Sequence, residues 1–355
     1  MNPFQELPYS RGDAVADDGP LPDLLTFADG SPVRTADDWA RRRAEIADVI
    51  IPLEYGGMPP ALPPEATDVE LVHGKANASR RFGIEGVWQD VYYVEVSGGE
   101  APLRFTLTLW TPSGDGPFPV VLNGDGCWAY LSDATASEAL RRGFAVASFN
   151  RCEIARDRDG TRDRGIYAAF PGEYGAISAW AWAYHRAYDA LLRLPKLDAG
   201  RVAITGHSRG GKTVELAGAT DTRIAAVGDN NSGCCGFGCN RVRGEGCERI
   251  ADITRVFPFW FDKGFAAWSG REAELPFDQH FLAALIAPRP LLFAVAHGDL
   301  WSNPVGACET YRAVLPVYRL LGAEENFGIV FREGGHGHLT GDWARFLDFS
   351  SQAMA

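Results

Sequence analysis

The segment that most constrains this chain is Arg201-Val-Ala-Ile-Thr-Gly206-His207-Ser208-Arg209-Gly210-Gly211-Lys212, followed by Thr-Val-Glu-Leu-Ala-Gly-Ala. The apolar run before it predicts a strand, the run after it a helix, and Gly-x-Ser-x-Gly fills the turn between them. A serine in that turn sits on strained backbone and presents its Oγ at the carboxyl edge of a sheet. Gly206 and Gly210 leave room for the close backbone approach that such a turn requires. The helix that follows brings unpaired N–H groups and a positive dipole to the place where an oxyanion would develop. Ser208 is therefore the candidate nucleophile. The competing reading is a glycine-rich turn with an idle hydroxyl, and the surrounding sequence decides between them.

That surrounding sequence alternates. Apolar, β-branched or aromatic runs occur at Val87–Val96, Leu103–Trp110, Phe118–Leu122, Gly143–Phe149, Arg201–Thr205, Ile224–Val227, Leu291–Ala296 and Gly328–Phe331. The first two alternate in polarity and lie close together, as an antiparallel pair would. The later ones are short, almost wholly apolar, and separated by helix-like stretches at Tyr174–Leu194, Arg209–Ala219 and Tyr311–Leu321. This pattern predicts an α/β fold with a mostly parallel sheet and helices on both faces, a three-layer sandwich. Residues 1–35, rich in Asp, Gly and Pro, are expected to form an irregular arm, and residues 36–355 one domain. A helix opens at Asp37-Asp38-Trp39, with carboxylates in its first turn, and its Arg41-Arg42-Arg43 run suits a solvated face. Tyr55 to Glu65, YGGMPPALPPE, can be neither helix nor central strand.

Serine at its ordinary pKa is a poor nucleophile, so it needs a base and a group that orients the base. In the α/β-hydrolase arrangement the chain order is serine, acid, histidine, each just past a strand. His336, in Glu333-Gly-Gly-His336-Gly-His338, follows the Gly328–Phe331 run and is the expected base, with His338 as its competitor. Asp299 follows the Leu291–Ala296 run and is the expected acid, the alternative being a turn residue after Gly298. His73, His185, His207, His280 and His297 are expected to be structural, with His207 turned away from the pocket.

Composition narrows the partners. The 355 residues carry 34 Lys+Arg against 46 Asp+Glu, a formal net charge of −12, which argues against nucleic acid or an anionic membrane surface. The longest apolar candidate, Phe281 to His297, is interrupted by Pro288, Arg289 and Pro290, so no membrane span is expected. The start, MNPFQELPYSRGD, lacks an export signal, so the chain as it stands is expected to be cytoplasmic unless trimmed from a secreted precursor. Four of seven cysteines crowd together as Cys234, Cys235, Cys239 and Cys247. Their spacing is wrong for structural zinc, and they are expected to be small buried groups with at most one local disulfide. Arg156 to Gly165, RDRDGTRDRG, misses the EF-hand register and is expected to be a solvent-exposed loop at the rim of the site. No metal or cofactor is expected, and the chain is expected to be monomeric.

Several motifs then coincide. Gly-His-Ser-Arg-Gly-Gly-Lys (206–212), Asn-Asn-Ser-Gly-Cys (230–234), Phe-Pro-Phe-Trp-Phe (257–261), Leu-Pro-Phe-Asp-Gln-His (275–280), Ala-Pro-Arg-Pro-Leu-Leu (287–292) and Asp-Leu-Trp-Ser-Asn-Pro (299–304) resemble the glucuronoyl esterases of carbohydrate esterase family 15 in their bacterial form. The resemblance runs from about Trp39 to the C terminus. It implies an α/β-hydrolase that cleaves esters of glucuronic or 4-O-methylglucuronic acid without a metal. By the same resemblance Ser208 is the nucleophile and His336 the base. Arg209 helps hold the oxyanion, Lys212 contacts sugar hydroxyls, and Trp301 lines the sugar site. Glu245, in a loop one residue shorter than usual, resembles a sugar-binding glutamate. Ser208 and Lys212 are four residues apart, so both should project from one face of the helix, and Lys212 with Arg209 should make the pocket positive. Many members carry a glutamate acid where this chain has Asn231, which leaves Asp299 as the acid. Two other readings follow from the departures, a carboxyl- or acetyl-esterase of another carbohydrate or small aryl ester, and an inactive hydrolase fold that binds carbohydrate.

Overall fold

The computed structural model describes residues 7–127 and 131–354. In chain order the strands are β1 (Ala16–Asp17), β2 (Thr67–Asn77), β3 (Trp88–Val96), β4 (Leu103–Thr111), β5 (Phe118–Asn123), β6 (Ala145–Phe149), β7 (Leu197–His207), β8 (Ala226–Asn230), β9 (Val242–Arg243), β10 (Leu291–Ala296) and β11 (Phe327–Arg332). Nine of them make one sheet in the order β11-β10-β8-β7-β5-β6-β4-β3-β2. Strands β5 to β8, β10 and β11 run parallel, and β4, β3 and β2 continue the sheet antiparallel from β6.

Alternation within the short apolar strands sorts side chains into two cores. Val120, Leu122, Val202, Ile204, Val227, Phe293 and Val295 face one side, where Ile46, Ile50, Trp180, Val214 and Tyr318 from helices Ala36–Tyr55, Ala176–Leu192, Arg209–Thr220 and Pro304–Leu320 cover them. Val121, Val146, Ala203, Ala226, Leu292 and Ala294 face the other side, against Ala136, Leu140, Trp343, Phe346 and Leu347 of helices Asp133–Arg141 and Thr340–Ala353. Both faces of the parallel region are therefore sealed, and this is why its strands are apolar throughout rather than alternating with polar residues.

Of the Arg41-Arg42-Arg43 run, expected on a solvated face, only Arg41 is exposed, since Arg42 is buried and Arg43 donates to the Leu285 and Ala219 carbonyls. Three further elements differ from expectation. Strand β2 is legible only in the structure because it is the outer strand, two bulges interrupt its pairing near His73, and Leu71 and Val72 are both exposed. Such bulges erase the two-residue period on which a strand is recognised. The helix expected over Tyr311–Leu321 begins earlier, at Pro304, because Asn303 caps it by accepting the Gly306 amide at 3.0 Å. The N-terminal arm is tied down, since β1 pairs with β9 and Asp18 meets Arg243 at 2.6 Å.

At the carboxyl ends of the strands lies an ion pair with both side chains fully buried, Arg151 after β6 and Asp125 after β5. Asp125 also accepts the His207 amide at 2.9 Å, so one carboxylate ties together the ends of three neighbouring strands. Breaking a buried pair on one side leaves an uncompensated charge. Arg151→Ala is therefore expected to destabilise the fold by about 3–5 kcal/mol, read from urea unfolding. A midpoint indistinguishable from wild type would contradict this.

Candidate active site

Strand β7 runs into Ser208, whose backbone sits at φ 57 and ψ −120 before the helix Arg209–Thr220 begins. The Ser208 amide donates to the Asn230 carbonyl at 2.8 Å, which fixes the turn against the end of β8. A Cβ on Gly206 would lie 2.3 Å from the Gly210 carbonyl oxygen, and one on Gly210 would lie 2.2 Å from Asp125 Oδ1. Both glycines are thus required by close approach. The strain at Ser208 is held by this surrounding packing.

The two loops beyond β10 and β11 bring Asp299 and His336 together. Imidazole Nδ1 donates to Asp299 Oδ2 at 2.6 Å, which leaves Nε2 as the basic nitrogen. The same carboxylate oxygen accepts the Ser302 hydroxyl at 2.5 Å. Burial alone would raise the Asp299 pKa, but the bonds from His336 and Ser302 outweigh it and hold the group below the ordinary carboxylate value. The His336 ring is placed beside the turn by His207, the residue before Ser208, since the two ring centroids are 4.4 Å apart. His207 is therefore packed against the expected base and not turned away from it. Its Nδ1 bonds Asn230 Oδ1 at 2.5 Å, and burial, then the neighbouring His336, lower its pKa to about 4. His338 lies between His207 and Trp343, and burial holds it well below its ordinary pKa.

Asn231, in the position where an acid was absent, works as a strut. Its Oδ1 accepts the Ala296 amide at 2.8 Å, and its Nδ2 donates to the Gly337 carbonyl at 3.3 Å. One side chain thus links the end of β10 to the loop that carries His336.

Arg209 stands in the first turn of the helix that follows Ser208. Its Nη1 meets Asp157 Oδ2 at 2.5 Å, and its guanidinium lies 4.7 Å from the Trp260 ring centre and 5.0 Å from that of Phe257. The loop after β5, expected to supply a second oxyanion donor, has most of its amides committed. Gly124 donates to Tyr184 Oη at 2.6 Å, Asp125 to Asn123 Oδ1 at 2.9 Å, and Gly126 to the Phe149 carbonyl at 3.2 Å.

Lys212 is buried, and its Nζ donates to the Ser232 carbonyl. Glu54, Glu215 and Asp229 surround it, with burial pushing Glu54 and Asp229 up to about 7 and Glu215 well above the ordinary value. The expected positive pocket is thus corrected. Arg209 is paired with the Asp157 carboxylate, and the Lys212 ammonium is turned into the fold onto a backbone carbonyl, so neither is presented as an open charge. Trp301 is 52% exposed and hydrogen-bonds to Glu248, whose own amide donates to the Trp301 carbonyl at 3.0 Å. Glu245 is exposed, and it is Glu248 that shares the electrostatic surroundings of Lys212 and Arg209. The turn at Gly246, with φ 68, separates the two glutamates and sets which one faces inward. Sequence reasoning had no signal for that register. Cys234, Cys235 and Cys239 are buried, Cys247 is half-buried, and all seven cysteines are free thiols, without the local disulfide that was considered.

An elbow serine at a parallel sheet edge, beside a carboxylate-bonded imidazole, defines an α/β-hydrolase fold of the carboxylic ester hydrolase class. A family model described as "Glucuronyl esterase, fungi" matches residues 94–322. A 4-O-methyl-glucuronoyl methylesterase from Schizophyllum commune is 31% identical, over 94% of this chain and 81% of that protein. Among solved structures, the glucuronoyl esterase from Solibacter usitatus superposes with a TM-score of 0.83 at 27% identity, over 97% of this chain and 100% of that one. A serine-to-alanine mutant of the Sporotrichum thermophile glucuronoyl esterase, in complex with methyl 4-O-methyl-β-D-glucopyranuronate, superposes with a TM-score of 0.77 at 26% identity, over 96% and 89% of the two chains. The chain belongs to the glucuronoyl esterase family, carbohydrate esterase family 15. Among the described residues no helix is long and apolar enough to cross a membrane.

The packing of His207 makes a pH prediction. Unfolded, the ring takes a proton near its ordinary 6.5; folded, it does so only near about 4. Its burial as a neutral ring therefore contributes stability that is present above pH 6.5 and is lost as the pH falls towards 4. Imidazole resonances of His207 followed by NMR should stay in the neutral form down to about pH 4. Titration near the ordinary value would contradict the packing.

Proposed function

We propose that the chain hydrolyses carboxylic esters of glucuronic or 4-O-methylglucuronic acid through a Ser208-His336-Asp299 triad and a covalent acyl-enzyme. The observation that carries the reading is the 2.6 Å bond between His336 Nδ1 and Asp299 Oδ2, on loops adjoining the elbow. With Nδ1–H committed to the carboxylate, Nε2 can take the Ser208 proton while Oγ attacks the ester carbonyl carbon. The carbonyl oxygen becomes an oxyanion, stabilised by the amide of Arg209 and by its guanidinium. Collapse breaks the bond to the alcohol, and the imidazolium returns its proton to that leaving oxygen. A water then loses a proton to His336, attacks the acyl carbon, and releases Ser208 and the uronic acid.

The sugar would lie towards Lys212, Glu248 and Trp301. Trp301 offers an apolar face and Glu248 accepts hydrogen bonds from sugar hydroxyls. The relatives support the acid half of this substrate. The Schizophyllum commune relative is a 4-O-methyl-glucuronoyl methylesterase, and the Sporotrichum thermophile structure holds a methyl uronate ester.

Ser208→Ala is expected to abolish turnover with an unchanged unfolding midpoint. Asp299→Asn is expected to lower kcat by about 10⁴, as removal of a triad acid does. Retention of most activity in Asp299→Asn would overturn the acid assignment. Steady-state rates on methyl 4-O-methyl-glucuronate and p-nitrophenyl acetate test the substrate, and efficient turnover of the acetate alone would favour an esterase of another acid.

A further inference from the structure

The loop Arg156 to Gly165 has a use that its charge pattern concealed. Most of it is exposed, as expected, but the Asp157 side chain is only 5% exposed. Oδ2 takes Arg209 Nη1 at 2.5 Å while Oδ1 accepts the Trp260 indole N–H at 2.8 Å. Trp260 in turn stacks on Phe257 with ring centres 3.9 Å apart and planes 4° from parallel. The carboxylate is therefore fixed from two sides, and the arginine head it holds rests on an aromatic wall.

We propose that Asp157 is a positioning residue with two linked effects: it aims Arg209 at the developing oxyanion, and by cancelling the guanidinium charge it lets the uronate product leave. The proposal rests on the ester-hydrolase reading above. That reaction converts an uncharged ester into a carboxylate at the very carbon beside Ser208. An unopposed arginine grips a carboxylate through two parallel N–H bonds and would hold the product. The nearby cation Lys212 is buried with its Nζ committed to the Ser232 carbonyl, so it is not presented to a departing carboxylate. An oriented N–H dipole serves a transient oxyanion at short range, whereas product retention follows net charge.

The test compares Asp157→Asn with wild type on methyl glucuronate, with glucuronate added as inhibitor. Expected are a kcat lower by about tenfold or more, a KM within about twofold, and a glucuronate Ki lower by at least about threefold. An unchanged kcat, or KM and Ki rising together as they would after general disordering, overturns the proposal. Asp157→Glu keeps the charge and shifts the carboxylate by one methylene. It should lower kcat and leave Ki unchanged; a lowered Ki or an unchanged kcat there also overturns the proposal, so the test stands if the Asn variant does not fold. Inactivity of wild type on methyl glucuronate would sink the substrate reading alone. The same comparison then runs on p-nitrophenyl acetate with acetate as product.

Discussion

Everything at the sheet edge depends on holding Ser208 at a backbone angle it would not adopt alone. Positive φ in a non-glycine residue costs about 1–3 kcal/mol and persists only where neighbours leave no relaxed alternative. Here the neighbours are the Asn230 carbonyl, the Gly206–Gly210 contact and, beneath them, the Asp125 carboxylate that takes the His207 amide. Asp125 is in turn held by the buried Arg151. A stiff charge pair therefore underlies a strained turn, and the turn presents the hydroxyl.

The same logic of paired charge extends outward. Arg209 answers to Asp157, Lys212 to a carbonyl among buried acids, and His336 to Asp299. The histidine pair shows the division of labour. His207 and His336 are close enough that two protonated rings would repel, and burial keeps His207 neutral. The proton that moves in the proposed mechanism accordingly resides on the ring backed by a carboxylate.

Much of this was legible in the sequence because the carriers are local. Short apolar runs mark β5 to β8, β10 and β11, and each of Ser208, Asp299 and His336 stands just past one of them. What was hidden depends on contacts between distant segments. Glu248 rather than Glu245 reaches Trp301 because a glycine turn shifts the register between them. Asp157 is concealed in a run of exposed charges, and no periodicity singles out the one carboxylate that meets Arg209 and Trp260. Lys212 shares a helix with the serine, yet its long stem carries the ammonium under the Ser232 loop instead of into an open pocket. Strand β2 was lost to its bulges, and β1 to its brevity.

The pairing of β1 with β9 has a consequence at a distance. Val242 and Arg243 lead directly into the segment that carries Glu248, so the leading arm acts as a splint for the loop that the proposed function turns towards the sugar. Shortening the protein to Thr35 would remove that splint together with Leu24 and Val33, which are buried in the main core. The arm therefore serves the packing of the core and the placement of that loop at once.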